Sequence, residues 1–188
     1  MMFERARWLL RWLCCGLLLA GLGPPGAALR ADSAPRSPEY LVKAAYLYNF
    51  ALFVEWPPDA FAGPEDPLVI GIVGTDPFGW ALDQALDGRR ISRRRIVVER
   101  LQANQDLRHC QMVFIASSER ERMPELLLRL QGQPVLVVAD YADASRHPTT
   151  VDFVVTDNKV GFTVNLDAAR RARLKISSKM LGLARAVR

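Results

Sequence analysis

The sequence has 188 residues, half of them apolar, with 25 Lys and Arg against 20 Asp and Glu. That length suits one domain built on one core. Four of the arginines (Arg5, Arg7, Arg11, Arg30) and one acid, Glu4, fall in the first 31 residues, so the remainder is nearly neutral. Its global charge gives no case for nucleic-acid binding.

The N-terminus reads as a cleavable export signal. Arg5, Arg7 and Arg11 form a positive region, residues 12–22 an apolar one, and Pro24-Pro25 leads into small residues. Cleavage after Ala28 or after Ala31 fits equally. An uncleaved anchor is the alternative, although the apolar run is shorter than the ~20 residues a span needs. Cys14 and Cys15 would suggest a lipid anchor, but Arg11-Trp12-Leu13 stands where small residues are wanted, so they leave with the signal. The expected organisation is a signal over 1–31, a disordered tether over 32–37 and one α/β domain over 38–188. Cys110 is then the single cysteine, either a buried thiol ahead of an apolar strand or an intermolecular bridge.

The first helix starts at Ser37-Pro38-Glu39 and ends before Pro57-Pro58, which it cannot pass. Residues 68–74 form an apolar strand buried on both faces. Residues 77–86 are a helix closed by Gly88. Residues 94–101 are a strand, 104–109 a helical turn and 112–117 a buried strand. A helix over 119–130 starts late or kinks at Pro124, and 134–139 is a further buried strand. Residues 151–156, Asp157-Asn158 and 159–165 read as a hairpin. Helices over 166–172 and 178–187 complete the chain. This alternation predicts a three-layer α/β sandwich, a mainly parallel central sheet with helices on both faces, and the late hairpin antiparallel at one edge. There are no internal repeats.

In the first helix, Tyr46, Asn49, Phe53 and Trp56 share a stripe with Glu39 and Lys43, while Leu41, Ala44, Ala45, Leu47, Tyr48, Ala51 and Leu52 would face the sheet. One reading makes Asn49 and the tyrosine hydroxyls satisfied core groups. The other leaves the aromatic stripe open as a partner-binding surface. Gly74, Thr75, Asp76 and Phe78 form a strand–loop–helix junction, the place where doubly wound sheets bind ligands. It lacks the residues of a phosphate loop, and Asp76 before Pro77 is also explained as a helix cap. Arg89, Arg90, Arg93, Arg94 and Arg95 crowd one turn. They are either solvated or meet anionic head groups or an acidic partner.

No catalytic constellation stands out. There is no Gly-x-Ser-x-Gly, and His109 and Cys110, as neighbours, are expected to point apart. No metal-ligand spacing is present, no cofactor is implied, and Asp140, Asp143, Asp152 and Asp157 are ordinary turn residues.

Two segments carry a resemblance: Lys43-Ala-Ala-Tyr-Leu-Tyr-Asn-Phe-Ala-Leu-Phe-Val-Glu-Trp-Pro57 and Asn165-Leu-Asp-Ala-Ala-Arg-Arg-Ala-Arg-Leu-Lys-Ile-Ser-Ser-Lys-Met-Leu181. With Leu68-Val-Ile-Gly-Ile-Val-Gly-Thr-Asp-Pro-Phe78 and Met112-Val-Phe-Ile-Ala-Ser-Ser118 between them, the chain from Pro38 to Val187 resembles the YfiR-like family of secreted bacterial regulators. The resemblance implies a periplasmic repressor, not an enzyme. It would dock on the external part of an inner-membrane sensor enzyme, a diguanylate cyclase or a sensor kinase, and lower cyclic di-GMP signalling; a homodimer is a further possibility. The alternative is a periplasmic small-molecule sensor with its ligand at Gly74–Phe78. The chain departs from the family pattern at the glycine-free 145–150 loop and at Arg173, where a helix-ending glycine is expected.

Overall fold

Apolar runs too short for helices and rich in branched residues pair side by side, and the helices between them cover both faces of the resulting sheet. The computed structural model describes residues 34–140 and 147–188. Ala28, Ala31, Asp143, Ser145 and Arg146 lie outside these residues. In chain order the elements are α1 (Pro38–Phe53), β1 (Val54–Glu55), β2 (Leu68–Val73), α2 (Trp80–Leu86), β3 (Arg90–Ile91), β4 (Arg94–Leu101) and β5 (Met112–Ile115). Then follow α3 (Met123–Leu130), β6 (Leu136–Ala139), β7 (Val151–Thr156), β8 (Lys159–Val164), α4 (Leu166–Arg171), β9 (Lys175–Ile176), α5 (Ser178–Leu183) and β10 (Ala186–Val187).

The main sheet runs β10-β8-β7-β6-β5-β2-β4-β3. Its five central strands, β4, β2, β5, β6 and β7, are parallel. Their order reverses between β2 and β5, which makes the sheet doubly wound with a switch point at the carboxyl ends of those two strands. β8 returns antiparallel to β7 through Asp157 and Asn158, both at positive φ (51° and 59°), the two-residue turn whose twist suits a hairpin.

Alternation along the strands divides two cores. Ile70, Ile72, Phe114, Val138, Phe153 and Phe162 pack under α1 and α2. Val69, Val73, Val113, Ile115 and Val137 pack under α3, with Leu107 and Cys110. The sandwich and its late hairpin are as the sequence predicts.

Several boundaries differ from expectation, each for a local reason. Asp76 does not cap α2: its Oδ1 accepts from the Phe78 amide at 2.7 Å, an Asx turn, and the helix begins only after Gly79, at φ 54°. Residues 104–109 are not helical. There the Gln105 and Asp106 side chains take the amides of Gln102 and Arg108 and so compete with the helix. A tight turn, Ser117–Arg122, precedes α3, which holds Pro124 in its first turn. The last helix stops at Leu183, and residues 186–187 add a parallel strand that covers the open edge of β8. The arginine-rich turn is a β-hairpin, β3 on β4. A second, two-stranded sheet pairs β1 with β9, so the exit of α1 is fastened to the C-terminal region. Before α1, the Arg36 amide donates to the Pro77 carbonyl at 2.9 Å.

Candidate functional site

Being apolar almost all round, α1 takes its rotation from its few polar groups. Lys43, which the sequence places on an outward stripe with Glu39, is only 3% exposed. Its Nζ lies 2.5 Å from Asp140 Oδ1 and 3.0 Å from Glu39 Oε1, and the Tyr40 hydroxyl donates to Asp140 Oδ2 at 2.7 Å. The ammonium also stands 4.5 Å from the centre of the Tyr40 ring. Burial pushes the Asp140 carboxyl above its ordinary range, against the pull of Lys43. Burial, then the bond to Asp140, pushes the Tyr40 phenol up. Asp140 is therefore a buried hub, not an ordinary turn residue. Asp152 is another: it is buried, bonded to Thr149 and Arg188, and likewise raised by burial.

That anchor turns Ala44, Leu47, Phe50 and Ala51 to the sheet. Leu41 and Val42, each 45% exposed, and Leu52, 47% exposed, point away from it, with Ala45 exposed beside them. This corrects the expectation that Leu41, Ala45 and Leu52 face the sheet. Of the aromatic stripe, Tyr46 is half-buried, its ring edge-on to Phe162 at 5.3 Å and stacked on Phe50 at 5.9 Å. Phe53 is half-buried against the core, and Trp56 donates from Nε1 to the Gln111 carbonyl at 2.8 Å. Asn49 lies half-exposed, on the outward side. Gln111 is a hub the sequence does not reveal: buried before β5, it accepts from the Val69 amide and donates to the Ala60 carbonyl.

The arginine hairpin adjoins the outward flank of α1. The Arg89 guanidinium lies 4.3 Å over the Tyr48 ring. Arg94 stacks on Phe61 and bonds the Gly63 and Asp66 carbonyls, while Arg90 holds the Arg93 carbonyl across the turn. Arg89, Arg90, Arg93 and Arg95 remain exposed.

The junction at the switch point is closed by its own chain. The Gly74 amide donates to Leu101, the Thr75 amide to Ser118 Oγ at 2.9 Å, and the Phe78 amide to Asp76. Asp76 also holds Arg100. A Cβ at Gly74, φ 95°, would stand 2.4 Å from Ser118 Oγ. Phe78 is wholly buried between Tyr40 and Phe114, its ring centre 5.5 and 4.7 Å from theirs. An open cleft of about 350 Å³ lies on the other side of the sheet, between α3 and α4, lined by Leu127, Leu130, Val137, Pro148, Ala168 and Arg171.

His109 and Cys110 do not point apart as expected: His109 Nε2 is 3.7 Å from Cys110 Sγ and 2.8 Å from Glu99 Oε2. Even so, burial pushes the buried thiol up to about 12, with Glu99 and Asp106 adding to it. A thiol held protonated is a poor nucleophile. Among the described residues no cluster of His, Cys, Asp or Glu is arranged to hold a metal, and no helix is long and apolar enough to cross a membrane.

The YfiR/HmsC-like family profile matches residues 40–185, from Tyr40 of the buried cluster to the residue before β10. The chain belongs to the YfiR/HmsC-like family. That family comprises periplasmic regulators and not enzymes. No curated protein matches in sequence. Among solved structures, a conserved domain protein from Vibrio cholerae O1 biovar El Tor is similar at 8% identity and TM-score 0.49, with 64% of this chain and 55% of that chain covered. The ABC domain of Streptococcus pneumoniae in complex with L-Trp is similar at 9% identity and TM-score 0.47, with 64% and 56% covered. The chain thus spans little more than half the length of either structure.

Proposed function

We propose that this YfiR/HmsC-like chain is a periplasmic repressor. It docks on the external part of an inner-membrane signalling enzyme, a diguanylate cyclase in preference to a sensor kinase, and holds it in the inactive state. Docking of this kind works by differential affinity: the bound chain must prefer the inactive form of the sensor. The observation that carries the reading is the outward flank of α1, where Leu41, Val42 and Leu52 stay about half exposed although the helix also has a full core face. Asn49 and the edges of Tyr46, Phe53 and Trp56 border that flank, and Arg89, Arg90 and Arg93 continue it with positive charge suited to an acidic partner.

The test is complementation in cells lacking the gene, with cyclic di-GMP as the readout. The wild-type chain lowers cyclic di-GMP. A Leu41→Asp, Leu52→Asp chain does not, although its melting temperature is unchanged. Full repression by that variant would rule out the flank as the docking surface.

A second reading, a small-molecule sensor, draws support from the cleft between α3 and α4 rather than from Gly74, Thr75, Asp76 and Phe78, where the amides of Gly74, Thr75 and Phe78, the Asp76 carboxylate and the Phe78 ring are already engaged. Thermal stabilisation by a small molecule with no partner present supports it.

A further inference from the structure

The two edges of the main sheet are finished differently. At one, β10 covers β8. At the other, β3 covers only Arg94 and Arg95 of the eight residues of β4, so residues 96–101 have no strand on their outer side among the described residues. The direction of the free groups follows from the register. The Gly74 amide donates to the Leu101 carbonyl, and β2 lies in step along β4, so Val97, Glu99 and Leu101 turn their main-chain groups inward to β2. Val98 and Arg100, which alternate with them, turn theirs outward. Such a row is a template for another strand. It is about 20 Å long at ~3.3 Å per residue.

We infer that this edge takes up an extended, acidic segment of a partner protein as an added strand. Charge names the occupant. Residues 87–98 hold five arginines and one acid. Arg94 is turned to the Gly63 and Asp66 carbonyls, but Arg89, Arg90 and Arg95 stay exposed where the open edge begins, and none of them holds a carboxylate among the described residues. At the far end the charged groups are already engaged, Arg100 with Asp76 and Asp83 and Glu99 with His109. An added strand therefore gains from carboxylates at its β3 end, which guanidinium forks match bidentately. Along the rest, Ile96 and Val98 are half-buried against the α1 core and offer apolar neighbours to alternate side chains.

The affinity is modest. A strand of this length adds few main-chain bonds, each of small net value, and the segment must first be ordered. The inference does not rest on the docking reading. Leu41, Val42 and Leu52 take no part in the edge, and Arg95 and Val98, the positions changed below, lie outside the flank of α1. Loss of strand uptake with docking intact, and the reverse, are thus separate outcomes.

Hydrogen exchange and peptide binding on the purified chain test the inference. In the free protein the Val98 and Arg100 amides exchange rapidly, and those of Val97 and Glu99 slowly. A labelled peptide of alternating threonine and valine, tipped at both ends with glutamates, slows the two outward amides and binds in fluorescence anisotropy. A lysine-tipped peptide binds about 10-fold more weakly. Val98→Pro removes an outward donor at an edge position, where proline is tolerated, leaves the ladder to β2 untouched and weakens binding about 10-fold. Arg95→Glu weakens the glutamate-tipped peptide by about the same factor and strengthens the lysine-tipped one. Matched melting curves establish that the variants fold, and Arg95→Glu decides alone if Val98→Pro does not. Outward amides already protected in the free chain overturn the inference, whether another part of the chain or a second copy covers them. So does equal binding of the two peptides, or binding by the variants that matches wild type.

Discussion

Replacing Lys43 with methionine measures directly how α1 is seated. The change keeps the aliphatic stem and removes the ammonium, so packing is nearly conserved while Asp140, with its side chain 4% exposed, keeps among the described residues only the Tyr40 hydroxyl as a donor. Breaking one side of a buried ion pair costs about 3–5 kcal/mol, because the other charge stays buried without compensation. Protonation of Asp140 offsets part of this. Its carboxyl is already raised by burial in the native protein, so its contribution to stability is full below the unfolded value near 3.9 and is lost as pH rises through the folded value. Without Lys43 the folded value climbs further and the window of loss extends upward in pH. We expect urea unfolding, followed by tryptophan fluorescence, to show a deficit of about 3 kcal/mol at neutral pH that narrows at a second, more acidic pH. The further change Asp140→Leu in the same chain should recover most of the loss. A deficit below about 1 kcal/mol at both pH values would refute the reasoning, since that is what a solvent-facing lysine would give.

Three further outcomes follow from the geometry. Arg173→Gly should raise the melting temperature, with a gain of about 1 kcal/mol: Arg173 closes α4 at φ 57°, a left-handed conformation that costs an L residue ~1–2 kcal/mol, and the exposed Asp59 pair that is lost contributes little. Cys110 should resist thiol reagents in the folded protein and react in step with urea unfolding. Cys110→Ala should cost about 1 kcal/mol, and the contribution of the thiol should fade as pH rises from the ordinary thiol range towards its raised value. Tyr46→Ala should destabilise by about 3 kcal/mol through its lost ring contacts, while Leu52→Asp stays within about 0.5 kcal/mol, both read by denaturant midpoints.

The sequence carried the sheet well and the rotation of α1 poorly, for physical reasons. Leu68–Val73, Met112–Ile115 and Leu136–Ala139 are unbroken apolar runs, and such runs fit only strands covered on both faces. The hairpin announced itself through Asp157-Asn158, two residues that tolerate positive φ. Arg173 stands where a helix-ending glycine is expected, and its left-handed backbone bears that expectation out. In α1, by contrast, polar residues were too few to mark an outer face, and the one charge in its middle turned inward to a carboxylate 97 positions away. Strands of two residues, such as β1, β9 and β10, have no periodicity to read. The proposed docking surface shared that difficulty: aromatic character pointed to Tyr46 and Trp56, whereas exposure falls on Leu41, Val42 and Leu52.

The distances that α1 spans along the chain also govern the order in which the protein can be completed. Tyr40 waits for a partner 100 residues downstream, and Phe50 for Phe153 and Phe162. The β1 segment that follows cannot pair until β9 has been made. A chain emerging N-terminus first therefore carries the side of α1 that meets Phe153 and Phe162 bare until nearly the whole polypeptide has been delivered. Newly made molecules are then most prone to aggregate, and most in need of a holding chaperone, in the interval before β7 and β8 arrive. A chain cut short ahead of the hairpin would stay in that condition permanently.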